Sequence, residues 1–346
     1  MGIRNYYIDL AEGKRKGFLS FVFKVFFFIP TCLYWLVISL RNFFYHKNFI
    51  LKEEAFKIPV ISAGNITWGG TGKTSLVIAL SKLFSLSKVA VFTRGYGSDE
   101  KDMLEELLSK EQAKIISGKD RVRLLREAES LYDLAILDDG FQYRRIKRDL
   151  DILLINGNNP FGSGTLIPSG SLREPKACIK RADVAVIMHA DNENLKNYLK
   201  TLSPKIDIFN AYYQVEGLAD LKGNTYSKEE LADKKIASFC AIGYPEGFIK
   251  SLGSLSLRPL IRFIYPDHHI LLEEEFREIE RKCELSGVKD LIITAKDKTR
   301  FKFFTQLSIW ILKVALKIEP QEDFLSLVQR RAGLKIESKT LKKQGL

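Results

Sequence analysis

Cysteine is sparse in this chain. Its four residues, Cys32, Cys178, Cys240 and Cys283, lie far apart with no CxxC pair and no metal-ligand spacing, which excludes a disulfide framework and points to free thiols in a reducing compartment. Histidine is as scarce, with His46, His189, His268 and His269 the four, so any imidazole chemistry falls on few positions. The body of the chain also lacks basic surplus. The net charge is +12, yet residues 1 to 57 hold nine Lys/Arg against four Asp/Glu and residues 330 to 346 hold six against one, so the ends carry +10 and the middle +2. A nucleic-acid groove needs basic side chains on one face of the folded body; none is expected here, and the basic ends suit an anionic surface. No small-residue cleavage site follows the first apolar run, which argues against a removed signal peptide.

That apolar run is the first positive feature. Phe18 to Leu40 is dominated by Phe, Val, Ile, Leu, Tyr and Trp, with Lys14, Arg15 and Lys16 before it and Arg41 and Lys47 after it. Its length is enough to span a bilayer, but Lys24 and Pro30 interrupt it and both flanks are basic, which gives no orientation. An interfacial or shallowly inserted helix, with Tyr34, Trp35 and the lysines at headgroup level, fits better. The rest of the chain, in a protein of 346 residues with 46% hydrophobic content, can bury two cores.

The stretch Ile58 to Ser75 reads IPVISAGNITWGGTGKTS: a buried strand, a glycine-rich turn, then a lysine and a hydroxyl opening a helix. Gly69, Gly70 and Gly72 let backbone N–H groups approach phosphate at a helix N-terminus. Thr71 and Ser75 complete the loop, Lys73 suits the β- and γ-phosphates, and the Thr74 hydroxyl suits Mg²⁺. The strict motif fails, because Thr67 stands where a glycine is expected, but the strand–loop–helix context holds.

Downstream, short apolar strands alternate with helical patterns. Strands are expected near 58–63, 89–93, 113–116, 134–137, 152–155 and 184–188, and helices at 74–84, 121–130 and 192–202. Such alternation predicts a mostly parallel sheet with helices on both faces and ligands at the carboxyl ends of the strands. Asp138 and Asp139 follow one such strand, where acidic residues hold Mg²⁺ or its waters, and two adjacent ones point to opposite sides. A second αβ set is expected at 236–242, 260–264, 291–294 and 309–318, after a linker strand at 206–215.

Seven segments in order carry a family resemblance: GNITWGGTGKTS, TRGYGSDE, GKDR, LDDGFQ, LREP, PDHH and TAKD. Together they resemble the tetraacyldisaccharide 4′-kinases of lipid A synthesis. The resemblance implies ATP- and Mg²⁺-dependent phosphorylation of the 4′-hydroxyl of an acylated glucosamine disaccharide 1-phosphate at the cytoplasmic face of the inner membrane. It also implies two α/β domains with the active site in the cleft between them. Two positions depart from the family pattern, Ala295 in place of Glu in TEKD and Tyr244 in place of Asn.

Phosphoryl transfer to a sugar hydroxyl needs a group to receive the proton, and Asp99 is the candidate. The resemblance pairs it with a histidine of PDHH, His268, with His269 as the alternative. Arg173 and Glu174 suit substrate contact, the arginine as a bidentate phosphate ligand; Asn65, Arg94, Lys119, Arg121 and Gln142 are further expected contacts. The expected fold is α/β: a P-loop NTPase-like, mostly parallel sheet, a smaller second α/β domain and an N-terminal membrane-associated helix. The expected boundaries are 1–50 for that helix, 51–205 for the kinase domain, 206–233 for an extended linker, 234–330 for the second domain and 331–346 for a basic tail. The partners expected are a glycolipid and a membrane surface, no nucleic acid, with the chain a monomer. The runner-up is a membrane-associated P-loop ATPase switch of the partitioning type, whose signature lysine would fall on Trp68.

Overall fold

The computed structural model describes residues 3–15, 17–95, 104–105, 107–108, 113–231, 233–267, 269–301 and 304–334. Asp99 and His268 lie outside the described residues. The fold divides into two compact units, the first drawn from Met1–Tyr96, Leu107–Tyr212 and Ile318–Leu346, the second from Gly97–Glu106 and Tyr213–Lys317.

The first unit opens with α1 (Ile3–Ala11), α2 (Phe18–Phe26) and α3 (Phe28–Lys47). The expected single helix over the apolar run is a pair, bent by 51°. Pro30 explains the break. In a continuous helix it could give no hydrogen bond to the Phe26 carbonyl and its ring would clash there; in the first turn of α3 neither demand arises. Helical bonding resumes on both sides, Phe27 N to Phe23 O at 3.0 Å and Thr31 N to Phe27 O at 2.9 Å. Among the described residues no single helix is long and apolar enough to cross a membrane, though this pair passes that test together.

The pair is turned inside out for a surface element. Phe18, Phe21, Phe26, Phe28, Ile29 and Val37 are exposed, while polar groups face the body: Ser20 is buried and Thr31 Oγ1 lies 2.7 Å from Ser169 Oγ. An ordinary surface helix does the reverse, and an outward apolar patch of this kind marks an interaction surface.

The sheet of this unit is built from β1 (Val60–Asn65), β2 (Val89–Thr93), β3 (Ala113–Ser117), β4 (Leu134–Asp138), β5 (Leu150–Asn156), β6 (Val184–Met188) and the first part of β7 (Asp207–Ala219). Their order is β7-β6-β5-β1-β4-β2-β3, and every neighbouring pair is parallel. Helices α4 (Lys73–Leu83), α5 (Arg121–Ala128) and α6 (Glu193–Leu202) connect strands. β1, β2, β4 and β6 are buried along their whole length, the reason their sequences read as unbroken apolar runs instead of alternating ones. Ala63 stands opposite Asp138 in the register of β1 and β4, so the carboxyl ends of the two strands are neighbours.

In the second unit the rest of β7 carries the short antiparallel β8 (Thr225–Tyr226). There follow β9 (Ile236–Cys240), α7 (Pro245–Ser254), β10 (Ile261–Ile264), α8 (Glu273–Leu285), β11 (Asp290–Thr294) and β12 (Ser308–Glu319), in the order β10-β9-β11-β12-β7. One face packs Phe239, Phe263, Phe276 and Phe301, the other Phe248, Leu252, Ile292 and Leu312.

The two units divide the chain differently from the expected boundaries, at β7 and α9 among other places. The segment expected as an extended linker begins as β7, which pairs with β6 from Asp207 to Ala211. The last of the described helices, α9 (Gln321–Ala332), expected up to residue 330 within the second domain, falls in the first unit. Its buried face includes Phe324, Leu327 and Val328. Phe324 meets Phe209 of β7 edge-on with centroids 5.2 Å apart, and Arg331 reaches Asp183 at 3.4 Å.

Candidate active site

The glycine-rich loop between β1 and α4 is held from beneath. Asn65, expected to meet substrate, is fully buried; its Nδ2 donates to Thr71 Oγ1 at 2.9 Å and to the Gly69 carbonyl at 3.4 Å, spending the amide's N–H donors inside the loop. Gly72 caps α4 with φ of 87° and Gly69 has φ of 98°, both in the left-handed region that side-chain-bearing residues rarely adopt. A Cβ built on Gly69 would meet nothing within 4 Å, leaving the space a phosphate needs. No side chain caps α4 and no acidic residue lies in its first turn, so the positive end of the helix is open to an anion. Lys73 and Thr74 stand half-buried at that end, with Gly70 exposed in the turn.

The end of β4 supplies the counter-charge. Asp138 is buried, while Asp139 has φ of 50°, a conformation that aspartate tolerates better than most residues. Arg173 Nη1 donates to both Asp139 carboxylate oxygens at 2.8 Å, and Lys73 Nζ stands 3.7 Å from Oδ1. Burial pushes the Asp139 carboxyl up, but Lys73 and Arg173 outweigh it and hold the group below the usual carboxylate value. On the neighbouring residue it is the backbone that is engaged: the Asp138 carbonyl accepts from Arg121 Nη1 at 2.8 Å. Arg121 is buried with its guanidinium 4.2 Å over the Tyr143 ring. Gln142 ties the groups together, donating through Nε2 to the Asn65 carbonyl at 2.8 Å and accepting from Arg173 through Oε1 at 3.4 Å.

The LREP segment is laid directly on the loop. Arg173 N donates to Ile66 O at 2.8 Å and Trp68 N to Ser171 O at 2.9 Å, a short antiparallel contact that fixes Arg173 beside Lys73. Glu174, expected as a substrate contact, is instead fully buried between Arg41 at 2.5 Å and Arg181 at 2.7 Å. Burial pushes its carboxyl up, yet Arg181 and Arg41 keep it below the usual carboxylate value.

Sequence reasoning missed four residues that build this corner: Tyr34, Arg41, Arg181 and Arg148. Arg148 Nη2 donates to the carbonyls of Gly140 at 2.7 Å and Tyr143 at 2.8 Å and closes the turn after the acids. Its signal was the basic cluster that follows LDDGFQ. Arg41 read only as a membrane flank. Arg94 and Lys119 are exposed, at the carboxyl ends of β2 and β3.

The remaining motifs form a scaffold in the second unit. Lys296 of TAKD pairs with Asp267 of PDHH at 3.0 Å, and Arg300 Nε donates to the His269 carbonyl at 2.9 Å. Asp297 is fully buried, accepting from Arg300 Nη1 and Thr294 Oγ1 at 2.6 Å each and from Ala241 N at 3.2 Å. His269 is engaged: its Nε2 lies 2.8 Å from Glu275 Oε2 and its ring stacks on Tyr265 with centroids 4.7 Å apart. At the two departures from the family pattern, Ala295 packs against the apolar core and Tyr244 precedes the first turn of α7.

A family model described as tetraacyldisaccharide-1-P 4′-kinase matches residues 24–332. The chain belongs to that family. The partitioning-ATPase reading is thereby set aside. Among tetraacyldisaccharide 4′-kinases, the chain is 33% identical to that of Desulfatibacillum aliphaticivorans, covering 86% of this chain and 89% of the relative. It is 31% identical to that of Halothermothrix orenii, over 95% and 98% of the two chains. Its fold is similar to that of the crystal structure of LpxK from Aquifex aeolicus in complex with ATP, with a TM-score of 0.68, 26% identity and coverage of 89% of this chain and 99% of that one.

Proposed function

We propose that the protein, as a monomer, transfers the γ-phosphate of ATP to the 4′-hydroxyl of tetraacyldisaccharide 1-phosphate at the cytoplasmic face of the inner membrane. The observation that carries this reading is the cluster of Lys73, Asp139 and Arg173 at an uncapped helix N-terminus. Two cations share one carboxylate beside a loop whose N–H groups and empty glycine space suit a polyphosphate.

In this reading residues 69–75 cradle the nucleotide phosphates, Lys73 stabilises charge on the group in transit, and Arg173 aligns phosphate oxygens by its planar fork. Asp139 keeps both cations aimed until substrate competes for them. Thr74, Asp138 and Asp139 would hold Mg²⁺, which neutralises phosphate charge when bound. The donor set fits that ion, being all hard oxygen. Among the described residues no cluster of three His, Cys, Asp or Glu could hold a metal unaided, which suits a cation shared with substrate oxygens. Arg94, Arg121, Gln142 and Asn65 shape the pocket wall, the last two through the loop backbone.

In this reading Asp99 receives the acceptor proton with His268 as its partner and His269 as the alternative; the engagement of His269 by Glu275 and Tyr265 supports the first choice. Two groups acting as one unit are non-additive on double mutation. Asp99→Ala and His268→Ala should each lower kcat by about a hundredfold or more, and the double variant should be little worse than the worse single. The apolar helix pair α2–α3 seats the enzyme in the membrane surface that holds its substrate.

The direct test is to incubate the purified protein with ATP, Mg²⁺ and tetraacyldisaccharide 1-phosphate and weigh the lipid product. Gain of one phosphate supports the reading; ATP turnover that ignores the lipid overturns it.

A further inference from the structure

Helix α3 has two working faces. Leu33, Leu36, Val37 and Leu40 are exposed on one. On the other, Tyr34 and Arg41 stand two turns apart on one side of the helix, and both reach the LREP segment. Tyr34 OH donates to the Arg173 carbonyl at 2.7 Å. Arg41 Nη2 donates to Glu174 Oε1 at 2.5 Å, and its Nη1 reaches the Gln142 carbonyl at 3.5 Å. These contacts lie behind the site: they grip the main chain of Arg173 and the side chain of its neighbour, while the Arg173 guanidinium faces Asp139.

We propose that Tyr34 and Arg41 are positioning residues for phosphoryl transfer, setting where Arg173 meets Asp139 and Lys73 and so tying the geometry of the phosphate end to the seating of the apolar helix. The inference rests on the kinase reading above. The Tyr34 bond goes to a carbonyl, so it fixes the place of residue 173 and not its chemistry. Without it, Arg173 N to Ile66 O and Trp68 N to Ser171 O still tie the segment to the loop, so the expected change is a small shift of the Arg173 carbonyl and of the side chain beyond it, not release of the segment. Catalytic geometry is sensitive to shifts of about 1 Å, whereas one neutral hydrogen bond contributes little to stability. Arg41 adds the second point of fixation, since Arg181 alone would leave Glu174 held from one side.

The test is a double-mutant cycle on the full chain in mixed detergent–lipid micelles with ATP and tetraacyldisaccharide 1-phosphate. The four proteins are wild type, Tyr34→Phe, Arg173→Ala and the double variant. Tyr34→Phe should lower kcat roughly tenfold, leave KM for ATP unchanged, and move Tm by no more than about 4 °C. In the Arg173→Ala background it should have no further effect, because the residue it positions is gone. Arg41→Gln should behave alike in kinetics with a larger fall in Tm; Tyr34→Phe is the variant that keeps the test sound should Arg41→Gln not fold. An equal factor in both backgrounds, or a wild-type kcat for Tyr34→Phe, overturns the proposal while leaving the kinase reading intact. A wild-type protein that makes no phosphorylated lipid overturns both.

Discussion

Asp139 is the residue on which three requirements meet: the end of a strand, a left-handed backbone and the charge of two cations. Asp139→Asn keeps the shape and removes the charge, so Lys73 and Arg173 lose the anion that aims them. The expected outcome is a fall in kcat of about a hundredfold, on the scale of losing one preorganised electrostatic group, measured by steady-state phosphorylation of the lipid. Its titration has a definite sign. The folded carboxyl is held below its ordinary value of 3.8, so its stabilising contribution is complete above that value and is lost as pH falls through the lower folded one. Urea unfolding of wild type and Asp139→Asn at stepped pH should show a constant gap from neutrality to about pH 4, closing only in stronger acid. Lys73→Ala should abolish measurable transfer and shift the unfolding midpoint only by its share of the Asp139 pairing, because in the proposed mechanism its cation acts on phosphate and not on the core. Glu174 behaves oppositely. Removing a fully buried carboxylate from between two arginines leaves their charges uncompensated, and Glu174→Ala should lose about 3–5 kcal/mol of stability in a denaturant titration, whatever it does to the rate.

At the scale of elements, the helix pair makes its own prediction. Phe21 and Phe28 are 64% and 63% exposed, so changing either to Ser removes little from the folded core. If the outward face binds lipid, each change should weaken partition to anionic vesicles about tenfold, within the free energy of burying an aromatic ring, with no shift in Tm. Vesicle sedimentation reads the first and calorimetry the second. The strands of both units were legible from the residues because runs such as VAVFT and VAVIM are buried on both faces and cannot be mistaken for amphipathic helix. The glycine-rich loop and LDDG were legible because a strand, a run of small residues and a helix start in that order, or acids at a strand end, leave few other local structures open. The bend after Phe26 was half-visible, since Pro30 announces a break but not which faces the two halves show. Asn65 reads as a loop amide open to ligand, and only the folded loop reveals that Thr71 and Gly69 consume its N–H donors. Glu174 finds its partners 133 positions away at Arg41, a distance across which no local pattern carries information.

For the molecule as a whole, the first unit is closed by α9, the last of the described helices. Phe324 is 2% exposed against Phe209, so Phe324→Ala should remove about 3–5 kcal/mol, the range for truncating a buried aromatic. Because the second unit has cores of its own, differential scanning calorimetry should show the transition of the first unit falling while that of the second stays in place. The outward apolar face of α2 and α3 has a further consequence for kinetics. If those helices hold the enzyme in a surface, as proposed, it meets its acceptor by lateral diffusion, and the quantity that sets its rate is the acceptor's mole fraction in that surface and not its amount per litre. Diluting the acceptor with inert phospholipid at fixed bulk concentration should lower the velocity in proportion, whereas adding buffer at fixed surface composition should leave turnover per bound enzyme unchanged.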